Sequence, residues 1–124
     1  MKRVLVCEDE TVIREFVVIN LRRAGWDVVD TDCGEAALKA YADAAGNFDI
    51  AVLDIMMPGI DGLEVCRQLR GESPELGIIL LTAKSQQEDK QLGLESGADV
   101  YITKPFSPSV LTTQVNKLYN LIHK

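Results

Sequence analysis

The segment DIAVLDIMMPGIDG, residues 49–62, joins the most apolar run of the chain to a carboxylate and a turn. Its first part, DIAVLD, is apolar at successive positions, as in a strand that is buried on both faces of a sheet. The run ends at Asp54, and the proline and glycines that follow are typical of a loop. The segment therefore predicts a central strand that delivers one acidic side chain to a loop at its carboxyl end.

Short apolar runs alternate with segments of helical period on both sides of this strand. Strands are predicted over residues 3–7, 27–31, 49–54, 78–82 and 99–103. Helices are predicted over residues 11–25, 34–46, 62–70, 85–97 and 107–122, the last with Ser107 as its N-cap. This alternation predicts one doubly wound α/β domain over residues 1–124, in which helices cover both faces of a five-stranded parallel sheet.

The composition is that of an ordinary soluble domain, with 47% apolar and 26% charged residues in a chain of 124. The formal net charge of −6 disfavours direct binding of this chain to nucleic acid, whose phosphates it repels. No apolar run approaches the roughly 20 residues that span a bilayer. Glu8, Asp9 and Glu10 follow the start too closely for a signal peptide. We therefore expect a cytoplasmic protein that does not associate with membranes.

The cysteines and the histidine further limit the kinds of metal site, disulfide and catalysis that the sequence predicts. Cys7, Cys33 and Cys66 lack the spacing of metal ligands and indicate no disulfide framework, so we expect reduced thiols. His123, the one histidine, stands beside the C-terminus. Catalysis by Ser-His-Asp or Cys-His arrangements is excluded, because it needs an imidazole positioned within the fold.

Polar side chains follow four of the predicted strands, at the edge of the sheet where ligands bind in doubly wound folds. Glu8 and Asp9 follow the first strand, Asp54 ends the third, Thr82 ends the fourth and Lys104 follows the fifth. Three carboxylates in one cleft repel one another unless a cation compensates them. Carboxylate oxygens are hard ligands that suit Mg²⁺, so the sequence predicts a magnesium site at this edge.

Each of these residues has an ordinary structural explanation when it is taken alone. An acidic pair after a strand can cap the next helix, an aspartate can begin a turn, and a threonine suits a strand. Together they suit phosphoryl transfer, because Lys104 and Thr82 can bind phosphoryl oxygens. Asp54 is then the remaining nucleophile, and its attack on a phosphoryl donor gives an acyl phosphate.

The motifs VLVCEDE, DIAVLDIMMPGIDGLEVCRQLR, IILLTA and GADVYITKPF together resemble the receiver domain of two-component response regulators. The resemblance covers essentially the whole chain and is strongest to receivers joined to winged-helix DNA-binding domains. It implies the flavodoxin-like receiver fold with strand order 2-1-3-4-5. It also implies a signalling switch that takes its phosphoryl group from a sensor histidine kinase, rather than an enzyme with turnover.

The resemblance implies a separate role for each acidic residue of the site. Asp54 is the implied phosphoacceptor. Asp9 is the implied direct ligand of Mg²⁺, with Mn²⁺ as an alternative ion, and Glu8 is implied to act through water. The backbone carbonyl of Met56 completes the metal ligands that the protein supplies.

The resemblance also implies roles for residues of the fourth and fifth strands. Lys104 contacts the phosphoryl group, and its peptide bond to Pro105 is implied to be cis. Thr82 and Tyr101 match the switch pair, in which the hydroxyl moves toward the phosphoryl group and the aromatic ring turns inward. Such a pair is a two-state element that a new dianion biases.

Met56 and Lys84 stand at the two positions that tune the lifetime of the phosphorylated form in this family. The Met56 side chain cannot orient an attacking water by hydrogen bonding, and Lys84 can pair with neighbouring charge. We therefore predict slow self-dephosphorylation.

The implied output is a change in the fourth helix, the fifth strand and the fifth helix, within residues 85–122. This surface is the expected readout, and two phosphorylated copies could pair through it. The chain departs from receivers with a charged symmetric dimer, because Val100 replaces an acid, and Thr112 and Thr113 stand near a usual arginine. A stand-alone receiver and the N-terminal domain of a DNA-binding transcriptional regulator both remain open.

Other classes of protein fit the residues less well. An FMN carrier of this architecture needs a loop rich in hydroxyls and glycine after the first strand, where the chain has Glu8, Asp9 and Glu10. A haloacid-dehalogenase-like phosphatase has its nucleophile after the first strand and a second aspartate two residues on, where Met56 follows Asp54 here. A P-loop hydrolase needs a glycine loop with a lysine. A pseudo-receiver, a pure protein-binding module, would lack one of the site residues.

Overall fold

A computed structural model describes residues 2–82 and 96–123. The strands are β1 (Arg3–Cys7), β2 (Asp27–Thr31), β3 (Ile50–Asp54), β4 (Gly77–Thr82) and β5 (Val100–Thr103). The helices are α1 (Thr11–Arg23), α2 (Gly34–Asp43), α3 (Gly62–Glu72) and the C-terminal helix (Pro108–Ile122). Lys84 and all but the last two residues of the predicted helix over 85–97 lie outside the described residues.

The five strands form one parallel sheet in the order β2-β1-β3-β4-β5, which confirms the predicted topology. β3 lies at the centre, where Val52 pairs with Val6 of β1 and with Ile79 of β4. β2 and β5 are the two edge strands. Asp54 is therefore carried by the central strand, which has a paired strand on each side.

Helices cover both faces of the sheet, because successive side chains of a buried strand point to opposite faces. Val52 faces α1 and the C-terminal helix and shares a buried cluster with Leu111. Leu53 faces α2 and α3 and shares a second cluster with Val65. Each such side chain contributes about 1.5–3 kcal/mol when it is fully removed from water, so the two clusters hold the sheet between its helical layers.

The ends of two helices show how local sequence sets the element boundaries. Ser107 caps the C-terminal helix as predicted, since its Oγ accepts a hydrogen bond from the N–H of Val110 at 3.2 Å. The helix predicted over 34–46 ends earlier, at Asp43. Ala45 and Gly46 have φ angles of 53° and 74°, in the left-handed region that an α-helix cannot contain.

The sequence predicted that Asp99 begins the fifth strand. In the structure Asp99 lies just before β5, which begins at Val100. Its carboxylate accepts hydrogen bonds from the N–H of Ile78 at 2.9 Å and from Nη2 of Arg70 at 2.8 Å. The side chain is thereby committed to contacts within its own chain. Strand pairing starts at Val100, which lies opposite Ile79.

The cysteines are free, as predicted. Cys7 and Cys66 are buried, and burial raises the pKa of each thiol to about 11. Cys33 is half-buried, and its Sγ accepts a hydrogen bond from the N–H of Ala36 at the start of α2. In the part of the chain that the structure describes, no helix combines the length and the apolar character needed to cross a bilayer.

Candidate functional site

Glu8 and Asp9 form a turn between β1 and α1. The N–H of Glu8 donates to the carbonyl of Thr31 at 3.1 Å, which extends the pairing of β1 with β2. The Glu8 side chain is fully buried, and its Oε2 accepts a hydrogen bond from the N–H of Glu10 at 3.2 Å. Asp9 is half-buried. The turn therefore places one carboxylate inside the protein and the next one at the rim.

Asp54 is the last residue of β3, and only 2% of it is exposed. Its Oδ1 accepts a hydrogen bond from the N–H of Met56 at 3.3 Å, and its Oδ2 lies 3.3 Å from Nζ of Lys104. The backbone stays attached to the sheet beyond this point, because the N–H of Ile55 donates to the carbonyl of Leu81 at 3.0 Å. Both the carboxylate and its backbone are thus held in place.

Lys104 reaches the same point from the loop that follows β5. Its Nζ donates to Oε1 of Glu8 at 2.8 Å, so one ammonium group joins two carboxylates. Its backbone N–H donates to the carbonyl of Thr82 at 2.6 Å. The peptide bond between Lys104 and Pro105 is cis, as the resemblance implied.

The carboxylates of Glu8, Asp9 and Asp54 converge. Each offers one oxygen, and these oxygens lie within 4.8 Å of one another. Hard oxygen ligands at such spacing suit a small divalent cation such as Mg²⁺. Lys104 supplies one positive charge against three carboxylates, so the donor set has negative charge left for a metal ion.

The pKa values show the cost of burying this charge. Burial raises the pKa of Glu8 to about 7, although the hydrogen bond from Lys104 acts in the opposite direction. Burial alone lowers the pKa of Lys104, but the hydrogen bond to Glu8 and the charge of Asp54 outweigh it and leave that pKa raised. A cation beside these carboxylates therefore stabilises their charged forms.

The remaining predicted site residues lie on β4, on β5 and in the loop after β3. Thr82 ends β4 and is 1% exposed, opposite Thr103 of β5. Tyr101 is half-buried and packs on the face of the sheet that α2 and α3 cover. Met56 is 69% exposed, although its backbone N–H donates to Asp54.

Gly62 shapes the site in a way that the sequence did not predict. A Cβ atom at this position would lie 2.1 Å from the carbonyl oxygen of Asp54, so a side chain there requires the backbone to move. The N–H of Gly62 also donates to the carbonyl of Ile55 at 3.1 Å. The available signal was a glycine directly after the helix cap Asp61, because glycine is a poor residue inside a helix.

Arg14 is a second residue that the sequence did not single out. From α1, its Nη1 donates to the backbone carbonyl of Glu8 at 2.9 Å, and its Nε lies 3.5 Å from Oδ2 of Asp30. Arginines on helix surfaces are common, so its position in the sequence carried no distinctive signal.

Comparison with known proteins identifies the family that shares this arrangement. Residues 4–116 match the family described as response regulator receiver domain. The chain therefore belongs to that family, whose members are signalling switches of two-component systems and take phosphoryl groups from sensor histidine kinases.

The curated relatives are longer proteins. The alkaline phosphatase synthesis transcriptional regulatory protein PhoP of Bacillus subtilis is 45% identical over 117 residues, which are 94% of this chain and 48% of that protein. The chain thus spans about half the length of the curated relatives it matches.

Solved receiver domains have the same fold over nearly the whole chain. A CheY-like receiver domain protein from Methanospirillum hungatei JF-1 gives a TM-score of 0.93 at 25% identity, covering 99% of this chain and 97% of that one. The response regulator TrrA from Thermotoga maritima, solved in complex with Mg²⁺–BeF, gives a TM-score of 0.84 at 42% identity. That match covers 95% of this chain and 99% of the TrrA chain.

Proposed function

We propose that residues 1–124 form a receiver domain in which Asp54 accepts a phosphoryl group from a sensor histidine kinase in a Mg²⁺-dependent reaction. One observation carries this proposal. The Asp54 carboxylate is buried at the end of the central strand, 3.3 Å from the Lys104 ammonium and beside the carboxylates of Glu8 and Asp9. This arrangement combines a fixed nucleophile with groups that balance charge, which is what phosphoryl transfer chiefly needs.

The chemistry follows from these groups. An oxygen of Asp54 attacks phosphorus, the bond between phosphorus and the donor's histidine nitrogen breaks, and that nitrogen keeps the bonding electron pair. The backbone contacts around Asp54 hold the nucleophile still during the attack. Lys104 and Thr82 bind phosphoryl oxygens, and the ammonium of Lys104 exchanges a carboxylate partner for a phosphoryl oxygen.

Glu8, Asp9 and Asp54 are the side chains proposed to hold Mg²⁺, with Mn²⁺ as a replacement ion and the Met56 carbonyl as a further ligand. When bound, the ion neutralises negative charge on the carboxylate and phosphoryl oxygens. TrrA supports this part of the proposal, since that relative was solved with Mg²⁺–BeF.

The proposed change on phosphorylation involves residues of β4 and β5 and the surface within residues 85–122. Thr82 and Tyr101 form the switch pair, and the surface within residues 85–122 changes on phosphorylation and pairs two copies of the chain. Met56 and Lys84 set the lifetime, which we propose to be long because the Met56 side chain cannot orient a water. The chain thus changes its own state rather than turning over a substrate.

The longer relatives suggest what the switch controls. PhoP of Bacillus subtilis is a transcriptional regulatory protein, so we propose that this receiver regulates transcription in the cytoplasm as part of such a protein. DNA contact then belongs to another domain, because a receiver with net charge −6 repels phosphates.

Intact-protein mass spectrometry after incubation with acetyl phosphate tests the proposal. We expect the wild type to gain one phosphoryl group with Mg²⁺ and none with a chelator. Asp54→Asn is expected to gain none, whereas Asp43→Asn, the same change at an exposed site on α2, is expected to behave as wild type. No gain in the wild type, or an equal gain in Asp54→Asn, contradicts the proposal.

A further inference from the structure

We infer that Arg14 is a positioning residue for the proposed Mg²⁺ site, because it fixes the peptide that carries Asp9. The inference rests on the proposed function, since it concerns how well the acidic turn Glu8–Glu10 binds the ion. Arg14 touches neither phosphoryl group nor metal in this scheme and acts only through the backbone of Glu8.

The contact falls on the bond that decides where Asp9 lies. Nη1 of Arg14 donates to the carbonyl oxygen of Glu8 at 2.9 Å, and this carbonyl belongs to the peptide between Glu8 and Asp9. A rotation about the Cα–C bond of Glu8 would move this carbonyl oxygen and displace the Cα atom of Asp9 with it. Holding the carbonyl therefore keeps the Asp9 carboxylate beside those of Glu8 and Asp54.

The other contacts of the turn fix Glu8 and leave this peptide to Arg14. The N–H of Glu8 is bonded to Thr31 of β2, and its carboxylate is bonded to Lys104 and to the N–H of Glu10. Glu10 is the N-cap of α1 but makes no side-chain cap hydrogen bond. Arg14 thus ties α1 to the turn from the helix side, where a capping side chain would otherwise do so.

The planar guanidinium is what allows one side chain to make both contacts. Nε lies 3.5 Å from Oδ2 of Asp30 at the edge strand β2, while Nη1 reaches the carbonyl of Glu8. The compact ammonium of a lysine cannot reproduce this fork. Asp30 also balances the charge of Arg14, so the residue adds little positive charge that would compete with Mg²⁺. The side chain is 19% exposed, so its geometry is largely enclosed.

Arg14→Lys tests the inference, because it keeps the charge and loses the fork. Mg²⁺ affinity is measured by isothermal titration calorimetry, and phosphorylation by acetyl phosphate is measured across Mg²⁺ concentrations. We expect the dissociation constant to rise about tenfold. The phosphorylation rate at saturating Mg²⁺ is expected to match wild type. Arg23→Lys, the same change at an exposed position of α1, is the matched control and is expected to leave both quantities unchanged.

Asp30→Asn is the second variant, and it removes the ion pair while leaving Arg14 and its bond to Glu8 in the sequence. We expect Mg²⁺ affinity to fall in this variant too, but by less than in Arg14→Lys. Unfolding temperatures in chelator report whether either variant is merely destabilised. Unchanged Mg²⁺ affinity in Arg14→Lys overturns the inference, as does a phosphorylation rate that falls equally at all Mg²⁺ concentrations.

Measurements on the wild type distinguish failure of this inference from failure of the proposed function. If the wild type neither binds Mg²⁺ nor accepts a phosphoryl group, the proposed function fails. If the wild type does both and Arg14→Lys binds Mg²⁺ like wild type, only the role of Arg14 fails.

Discussion

β3 and β5 both end at the site, but they are built in opposite ways. All five residues of β3 are buried, and the strand pairs with β1 on one side and β4 on the other. β5 is an edge strand that pairs with β4, and Ile102 is the one residue of its four that is buried. Asp54 comes from the enclosed strand, whereas Tyr101 and Lys104 come from the half-buried edge strand and its loop.

Under the proposed function, this contrast separates the part of the site that must stay fixed from the part that responds to phosphorylation. A nucleophile gains most from a backbone that cannot shift, because attack requires reacting atoms to be aligned. Residues that change partners on phosphorylation belong where few contacts oppose movement. Four substitutions test this difference between β3 and β5, and the first acts on the fixed side.

Gly62→Ala is expected to have the largest effect. The new Cβ would lie 2.1 Å from the carbonyl oxygen of Asp54, so either β3 or α3 must move. We expect the free energy of unfolding to fall by about 3 kcal/mol or more, measured by urea denaturation. Gly71→Ala, on the same helix with no atom within 4 Å of the new Cβ, is the matched control. It is expected to be neutral or stabilising by up to about 1 kcal/mol.

Equal stability of the two glycine variants would break the comparison, because it would mean that the end of β3 yields easily. The predicted loss corresponds to a fall in unfolding temperature of about 10 °C for a chain of this size.

Lys104→Met acts on the responsive side. It is expected to lower the free energy of unfolding by less than Gly62→Ala does, about 2 kcal/mol at pH 8 in the absence of Mg²⁺. The change leaves Glu8 and Asp54 buried without their ammonium partner. Added Mg²⁺ is expected to raise the unfolding temperature more in this variant than in wild type, since a cation replaces a cation. Lys39→Met removes a lysine from an exposed pair with Asp43 and is the control, expected to match wild type.

The loss in Lys104→Met is expected to depend on pH. The pKa of Glu8 is about 7 in the folded protein, above its ordinary value of 4.5, because of burial. The favourable contribution of protonated Glu8 is thus complete below pH 4.5 and lost as pH rises through 7. Lys104 opposes this loss by lowering the pKa of Glu8, so the gap between variant and wild type should widen from pH 5 to pH 8 in metal-free buffer. A constant gap would contradict the role given to Lys104.

The sequence predicted the central strand and the converging carboxylates of the site better than it predicted the contacts that hold them in place. A continuous apolar run ending at Asp54 is a strong signal of a central strand, and both that strand and the sheet order are confirmed. The convergence of Glu8 and Asp9 with Asp54 followed from the rule that loops after parallel strands meet at one edge. Topology alone therefore brought the carboxylates together.

Contacts between side chain and backbone could not be predicted in the same way. The reach of Arg14 to the carbonyl of Glu8 depends on the angle at which α1 leaves the turn, which no periodicity encodes. The closeness of Gly62 to Asp54 depends on how α3 packs under β3, and glycine also serves ordinary turns. Asp99 was predicted inside a strand, although its carboxylate is held by Arg70 and Ile78. Tertiary contacts decided each of these cases.

A matched pair of valines gives the smallest and most direct test of the comparison. Val52 of β3 and Val100 of β5 lie on the same face of the sheet, both beside Ile79 of β4, and contact the same apolar cluster. Val52→Ala is expected to cost about 2 kcal/mol, because the side chain is fully buried and the space it leaves cannot close. Val100→Ala is expected to cost less than about 1 kcal/mol, since the half-buried edge can relax. Chemical denaturation of both variants measures the difference. A cost at Val100 as large as that at Val52 would show that β5 is as constrained as β3, and the strand of the proposed nucleophile would then no longer be distinguished from a responsive edge.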